Sequence, residues 1–271
     1  MTGHDHRLAD GRTLFWQERG NGPPLVLLHG WSLSGAAFSE LAGLLDGFRV
    51  LLPDLPGHGR SSPPSQATLP ALADDLGAWL TVAVPGPVIL GGWSLGGMLV
   101  LELAARPAAP IDRLLLIATT PRFTTAADWP HGLPVLQVRA LRRNLERRFE
   151  ATLADFFALA FADGEVDADR LRAIRAFAVR PGGLPERTAA AALLDLLGKQ
   201  DQRTVLSRIC FPTLVVHGLL DRVTPVAAGR ALAAALPHGQ LQEVAGAGHA
   251  PFWTQPQVVA QAVKEFCLWD R

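Results

Sequence analysis

The chain of 271 residues predicts an α/β fold: a mostly parallel central sheet flanked by helices, with a helical block inserted before the sheet is complete. Three observations predict it. Short apolar runs alternate with helix-length stretches through the first 120 residues. Those runs are continuous rather than alternating, as expected of strands buried on both faces. The rhythm stops near residue 122 and returns after residue 205, which divides the chain into a core of residues 1–121 and 206–271 and a lid of residues 122–205.

Pro24-Leu25-Val26-Leu27-Leu28-His29 is the first clear strand and Phe48 to Leu52 the second, stopped by Pro53-Asp54-Leu55-Pro56-Gly57. Val88 to Gly92 is the third and Leu114 to Ala118 the fourth, with helices expected over Leu69–Leu80 and Leu95–Ala105. In the insertion, Val138, Leu141, Leu145, Phe149, Leu153 and Phe156 recur at spacings of three and four and make one apolar stripe. Further helices are expected over Asp167–Val179, ended by Pro181-Gly182-Gly183, and over Pro185–Leu197. A strand at Phe211–Gly218, a helix over Pro225–Leu236, a strand at Gln240–Val244 and a helix over Gln255–Trp269 complete the core.

Composition narrows the function. The formal charge is zero, so no basic footprint for nucleic acid or an anionic membrane exists. The opening MTGHDHRLAD lacks the basic and apolar regions of a secretory signal, and no apolar run is long enough to span a bilayer. Cys210 and Cys267 have neither metal-type nor disulfide-framework spacing, and both are read as buried thiols. The eight histidines form no metal-ligand pattern, and the glycine-rich turns lack the P-loop lysine and the dinucleotide fingerprint. The expectation is a monomeric cytoplasmic enzyme with no metal and no cofactor.

Gly92-Trp93-Ser94-Leu95-Gly96-Gly97 falls where a strand hands over to a helix. G-x-S-x-G serves a mechanical purpose there: the serine occupies a tight turn, and the helix that follows points its N-terminus at the reacting centre. Ser94 is therefore the candidate nucleophile. Asp221 lies just past the strand Thr213–Val216, where α/β sheets assemble their sites, and His249 lies in the small-residue loop Gly246-Ala247-Gly248-His249. The chain order of serine, acid and histidine suits an acyl-transfer triad, with His249 as base and Asp221 orienting it. Asp128 is the alternative acid. His29-Gly30-Trp31 ends the first clear strand, so the backbone N–H groups of Trp31 and Leu95 are the candidate oxyanion hole. His29 is read as a structural histidine, and Asp54 to Ser61 as a structural turn.

Together HGW (His29–Trp31), DLPGHGRS (Asp54–Ser61), GWSLGG (Gly92–Gly97), HGLLDRVTP (His217–Pro225) and GHAPF (Gly248–Phe252) resemble the α/β-hydrolase superfamily. TTPRFTTAADWPHG (Thr119–Gly132) and FFALAF (Phe156–Phe161) narrow the resemblance to the carboxylesterases of biotin synthesis. The resemblance implies hydrolysis of the methyl ester of pimeloyl-acyl carrier protein. It also implies an acyl pocket lined by Trp31, Ser94, Leu95, Phe156, Phe157, Ala158, Leu159, Ala160 and His249. Lid arginines in that family hold the acidic carrier protein, a role that here falls to Arg142, Arg143, Arg147, Arg148, Arg170, Arg172 and Arg175. The sequence departs from the family just before FFALA, where Ala151 and Asp155 replace arginines. Two other functions share the motifs: a short-chain carboxylesterase without a carrier partner, and a small-molecule receptor on the same fold.

Overall fold

The structure, a computed structural model, describes residues 1–107, 110–178 and 184–268. One sheet contains β1 (Thr2–Arg7), β2 (Thr13–Arg19), β3 (Pro24–Leu28), β4 (Arg49–Pro53), β5 (Val88–Trp93), β6 (Ile111–Ile117), β7 (Thr213–Gly218) and β8 (Gly239–Val244). Their spatial order is β1-β2-β4-β3-β5-β6-β7-β8. The pairs β1–β2 and β2–β4 are antiparallel; every other neighbouring pair is parallel. The predicted α/β architecture is present.

The central strands explain themselves. All six residues of β5 and of β7 are buried, because helices cover both faces. On one side of the molecule lie α1 (Ser39–Leu44), α9 (Pro251–Thr254) and α10 (Pro256–Leu268), which pack on one another. The helices α2 (Leu69–Ala83) and α3 (Leu95–Ala104) pack together, and α8 (Val226–Ala235) packs on β7 and β8. Thr68 caps α2 by accepting from the Ala71 N–H, and Pro70 fits its first turn, where no intrahelical donor is needed. The sequence does not predict β1 and β2. β1 is a polar edge strand with no buried residue, so it lacks the apolar signal of its neighbours.

Between β6 and β7 the chain forms α4 (Val135–Arg147), α5 (Phe149–Leu159), α6 (Ala168–Ala178) and α7 (Arg187–Lys199). The single apolar stripe of the sequence is two helices: Arg148 leaves the helical region with φ −144° and ψ 60°. The stripe turns there, so that Leu145, Phe149 and Leu153 are all buried while α4 and α5 pack on each other. Val179 and Pro181 to Gly183, the expected end of α6, lie outside the described residues, as does Trp269 at the end of α10. The ends of this insertion meet. Arg122 and Asp201 form an antiparallel bridge and a 2.6 Å ion pair, and Gln202 donates its backbone N–H to Pro121 and its side-chain amide to Met98 in α3. Paired with Arg203 and then Arg122, the Asp201 carboxyl stays below its ordinary range although partial burial opposes this.

Candidate active site

Ser94, between β5 and α3, has φ 54° and ψ −115°, a left-handed conformation that costs a non-glycine residue about 1–3 kcal/mol. The turn holds because its backbone is closely packed: a Cβ on Gly92 would collide with Gly96, and one on Gly96 with the carbonyls of Leu28 and His29. Backbone bonds from Ser94 N to the Ile117 oxygen and from Met98 N to the Ser94 oxygen tie it to β6 and α3. The strain lifts the side chain clear of the sheet at the carboxyl ends of the parallel strands.

Asp221 and His249 come together across the ends of β7 and β8. His249 Nδ1 lies 2.8 Å from Asp221 Oδ2, and both side chains are buried. A carboxylate only accepts, so Nδ1 carries the proton and donates, which leaves the Nε2 lone pair for a hydroxyl. Ser94 makes no hydrogen bond to His249 among the described residues, a separation common before substrate binds. Asp221 Oδ1 accepts the N–H groups of Val223 and Thr224 at 2.8 Å each, and Oδ2 accepts from the Thr224 hydroxyl at 2.8 Å. His217 Nε2 stands 3.3 Å from the same oxygen and 2.6 Å from the Thr224 carbonyl. Burial disfavours the Asp221 carboxylate, but the charges and hydrogen bonds of His249 and His217 outweigh it and hold its pKa well below the usual range. Asp128, the alternative acid, is exposed and pairs with Arg203 at 3.0 Å.

The backbone around His249 is fixed on every side. Its N–H donates to Ala160 O at 2.7 Å, and its carbonyl accepts from the Trp93 indole at 2.7 Å. The preceding Gly248 N–H donates to Glu165 Oε1 at 2.8 Å, while Glu165 Oε2 accepts from Ala162 N. Gly248 is required there: a Cβ would stand 2.5 Å from Ala160 O and 2.7 Å from Glu165 Oε2.

Trp31 and Leu95 flank the serine turn. Leu95 opens α3, so its N–H is one of the helix's unshared donors. The Trp31 loop is pinned from the Asp54–Ser61 turn, to which the sequence assigns only a structural role. His58 Nε2 accepts from Ser32 N at 3.1 Å, His29 Nε2 accepts from Leu55 N at 2.9 Å, and Asp54 Oδ1 accepts from Gly35 N at 2.7 Å. Burial lowers the His58 pKa to about 4 against two backbone hydrogen bonds that raise it. Burial, with the neighbouring His58, holds His29 well below its ordinary value.

The alpha/beta hydrolase fold family matches residues 23–256. The chain belongs to the α/β-hydrolase family. Among its relatives, pimeloyl-[acyl-carrier protein] methyl ester esterase of Chromobacterium violaceum is 38% identical over 253 residues, covering 93% of this chain and 97% of that one. The Stenotrophomonas maltophilia protein of the same name is 37% identical over 91% of this chain and 93% of its own. Among solved structures, a thermophilic esterase from Thermogutta terrifontis superposes with TM-score 0.83 at 27% identity, covering 98% of each chain. The Exiguobacterium antarcticum esterase EaEST shares the fold, with TM-score 0.90 at 22% identity over 98% of this chain and 99% of that one.

In this hydrolase the insertion meets the loop after β3 through Trp31, whose ring packs edge-on against Phe156 at 5.0 Å while its indole N–H donates to Ala190 O. Phe157 and Ala160 are buried, Ala158 is half-buried and Leu159 is exposed. The arginines divide into two groups. Arg142 pairs with Glu146 and Asp195, Arg170 with Glu40 and Arg172 with Asp169. Arg143, Arg147, Arg148 and Arg175 are exposed without an ion pair among the described residues. A cleft of about 390 Å³ between α4 and α7 is lined by Val135, Val138, Leu194, Arg139, Arg143 and Lys199, among others. Cys267 is buried as expected, but Cys210 is exposed, in the connection between the buried Ile209 and β7.

Proposed function

We propose that the chain is a serine carboxylesterase that hydrolyses the methyl ester of pimeloyl-acyl carrier protein. The observation that carries this is the identity of 36–38% to esterases of that name over more than nine-tenths of both chains. In the proposed mechanism, Ser94 attacks the ester carbonyl as His249 Nε2 takes its proton, and Asp221 stabilises the imidazolium. The N–H groups of Trp31 and Leu95 hold the oxyanion; one such donor is worth roughly 10²–10³ in rate. Collapse expels methanol, protonated by His249. Water then attacks the acyl-enzyme with His249 again as base, which releases the free carboxylate and restores Ser94.

Trp31, Ser94, Leu95, Phe156 to Ala160 and His249 form the acyl pocket in this reading. The carrier protein docks on the insertion, where Arg143, Arg147, Arg148 and Arg175 are unpaired among the described residues and Arg139 and Lys199 add to them. A monomer acting in the cytoplasm is the accompanying expectation; among the described residues no helix is long and apolar enough to cross a membrane. A second reading is supported by Ala151 and Asp155, exposed positions on α5 where the resemblance leads one to expect arginines. It is a short-chain carboxylesterase without a carrier partner.

Hydrolysis of pimeloyl-acyl carrier protein methyl ester beside p-nitrophenyl butyrate separates the two. A large kcat/KM advantage for the carrier-bound ester, reduced by salt and by Arg143→Glu with Arg147→Glu, supports the first reading. Equal turnover without a salt effect supports the second.

A further inference from the structure

The hydroxyl of Thr224 lies inside the Asp–His pair and is used by neither of the roles assigned above. Thr224 is buried, immediately before Pro225 at the start of α8. Its Oγ1 is 2.8 Å from Asp221 Oδ2, 3.0 Å from Ala118 O and 3.2 Å from His249 Nδ1. Ala118, at the end of β6, sits at φ 43°, an unfavourable conformation for a residue with a Cβ, and its carbonyl is the third corner of this arrangement.

We propose that Thr224 is a positioning residue for His249, holding its imidazole to one lone pair of Asp221 Oδ2 by occupying the other with the threonine hydroxyl. The proposal rests on the reading of Ser94, His249 and Asp221 as the catalytic triad. The donor count leads to it. Asp221 Oδ1 is filled by two backbone N–H groups, and His217 Nε2 gives its proton to the nearer Thr224 carbonyl. Oδ2 then takes its two short donors at 2.8 Å, His249 Nδ1–H and the Thr224 O–H, with His217 Nε2 a longer third neighbour at 3.3 Å. The hydroxyl has one proton and two acceptors in reach, and the charged oxygen is the nearer.

Removing the hydroxyl leaves Oδ2 with one donor fewer and more negative charge facing the imidazole. The protonated form of His249 gains by that. The other titratable group against the pair is His217 from β7; Glu165 takes the backbone N–H groups of Gly248 and Ala162, and Arg222 is turned outward to Asp163. None of these is altered by a change at Thr224.

The test uses the full chain with p-nitrophenyl butyrate, in T224V, which keeps the shape, and T224S, which keeps the hydroxyl. For T224V the expected result is a fall in kcat of about tenfold with KM unchanged, as for loss of one hydrogen bond to a charged group. The acid limb of its kcat/KM profile should move upward by about half a unit or more. T224S should restore both to within about twofold of the parent. An unmoved acid limb in T224V, or T224S as impaired as T224V, overturns the proposal in favour of a packing role. S94A and H249A run alongside: if they remain active, the triad reading itself has failed, whereas inactive controls with a normal T224V reject Thr224 alone.

Discussion

The indole N–H of Trp93 donates to the carbonyl of His249, a residue 156 positions later in the chain, at 2.7 Å. The residue before the candidate nucleophile therefore fixes the backbone of the candidate base, and the two rings lie 5.4 Å apart. Trp93→Phe keeps an aromatic ring and removes the donor. A fall in kcat of about tenfold is expected, with a stability cost of about 1 kcal/mol for the buried carbonyl left unpaired. Steady-state kinetics beside thermal unfolding separates the two effects. A variant equal to the parent in kcat would show that the bond does not position the histidine.

Ser94→Ala should retain the fold and lose turnover. Asp221→Asn should lower kcat by about 10³–10⁴, because an amide can present its N–H to Nδ1 and select the wrong tautomer. Circular dichroism checks the fold and ester hydrolysis the activity. Sustained multiple turnover in Ser94→Ala would remove Ser94 from the chemistry.

Acid should weaken the fold through two buried histidines, His29 and His58, that hold the Trp31 loop against the Asp54–Ser61 turn. The folded state excludes the proton that an unfolded chain takes up below about pH 6.5, so the contribution of His58 is complete above that pH. It is lost as pH falls toward about 4, and amounts to about 3 kcal/mol. His29 acts in the same direction. Because protonated His58 cannot accept from Ser32 N, the Trp31 loop should loosen in the same window. Denaturant unfolding at intervals from pH 7 to pH 4.5 measures this, and a flat profile would exclude it.

Gly248→Ala should impair the enzyme more than a loop substitution ordinarily does. The new methyl group meets Ala160 O and Glu165, so the insertion and the histidine loop must separate. A loss of kcat exceeding tenfold is expected, with a melting point lowered by a few degrees. Glu165→Ala should reproduce part of the kinetic loss without the clash. Wild-type kinetics in both variants would mean that the clasp does not control the base.

Legibility in the sequence followed burial. β3, β5 and β7 could be read directly because a short continuous apolar run between turn residues marks a strand covered on both faces. Ser94, Asp221 and His249 could be placed because each follows a strand that the sequence predicts. β1 could not be read, since an exposed edge strand carries no apolar pattern. The break at Arg148 left the spacing of apolar residues intact and so gave no warning. Thr224, Glu165 and Trp93 reach His249 or Gly248 through bonds spanning 25, 83 and 156 positions, and although Thr224 and Trp93 lie inside quoted motifs, no local spacing shows those distant partners. The pairing of Arg142 with Asp195 was hidden for the same reason, since the partners sit on different helices.

The neck of the insertion has an evolutionary consequence. Where Arg122 meets Asp201, the two ends of the helical block are held together outside the sheet, so a block of other length could be carried on the same neck without changing strand register. Such a replacement would not be neutral for chemistry. A transplanted block must bring its own acceptors for the N–H groups of Gly248 and His249, now supplied by Glu165 and Ala160. Grafting lids to change substrate preference should therefore succeed only when those two contacts travel with the graft.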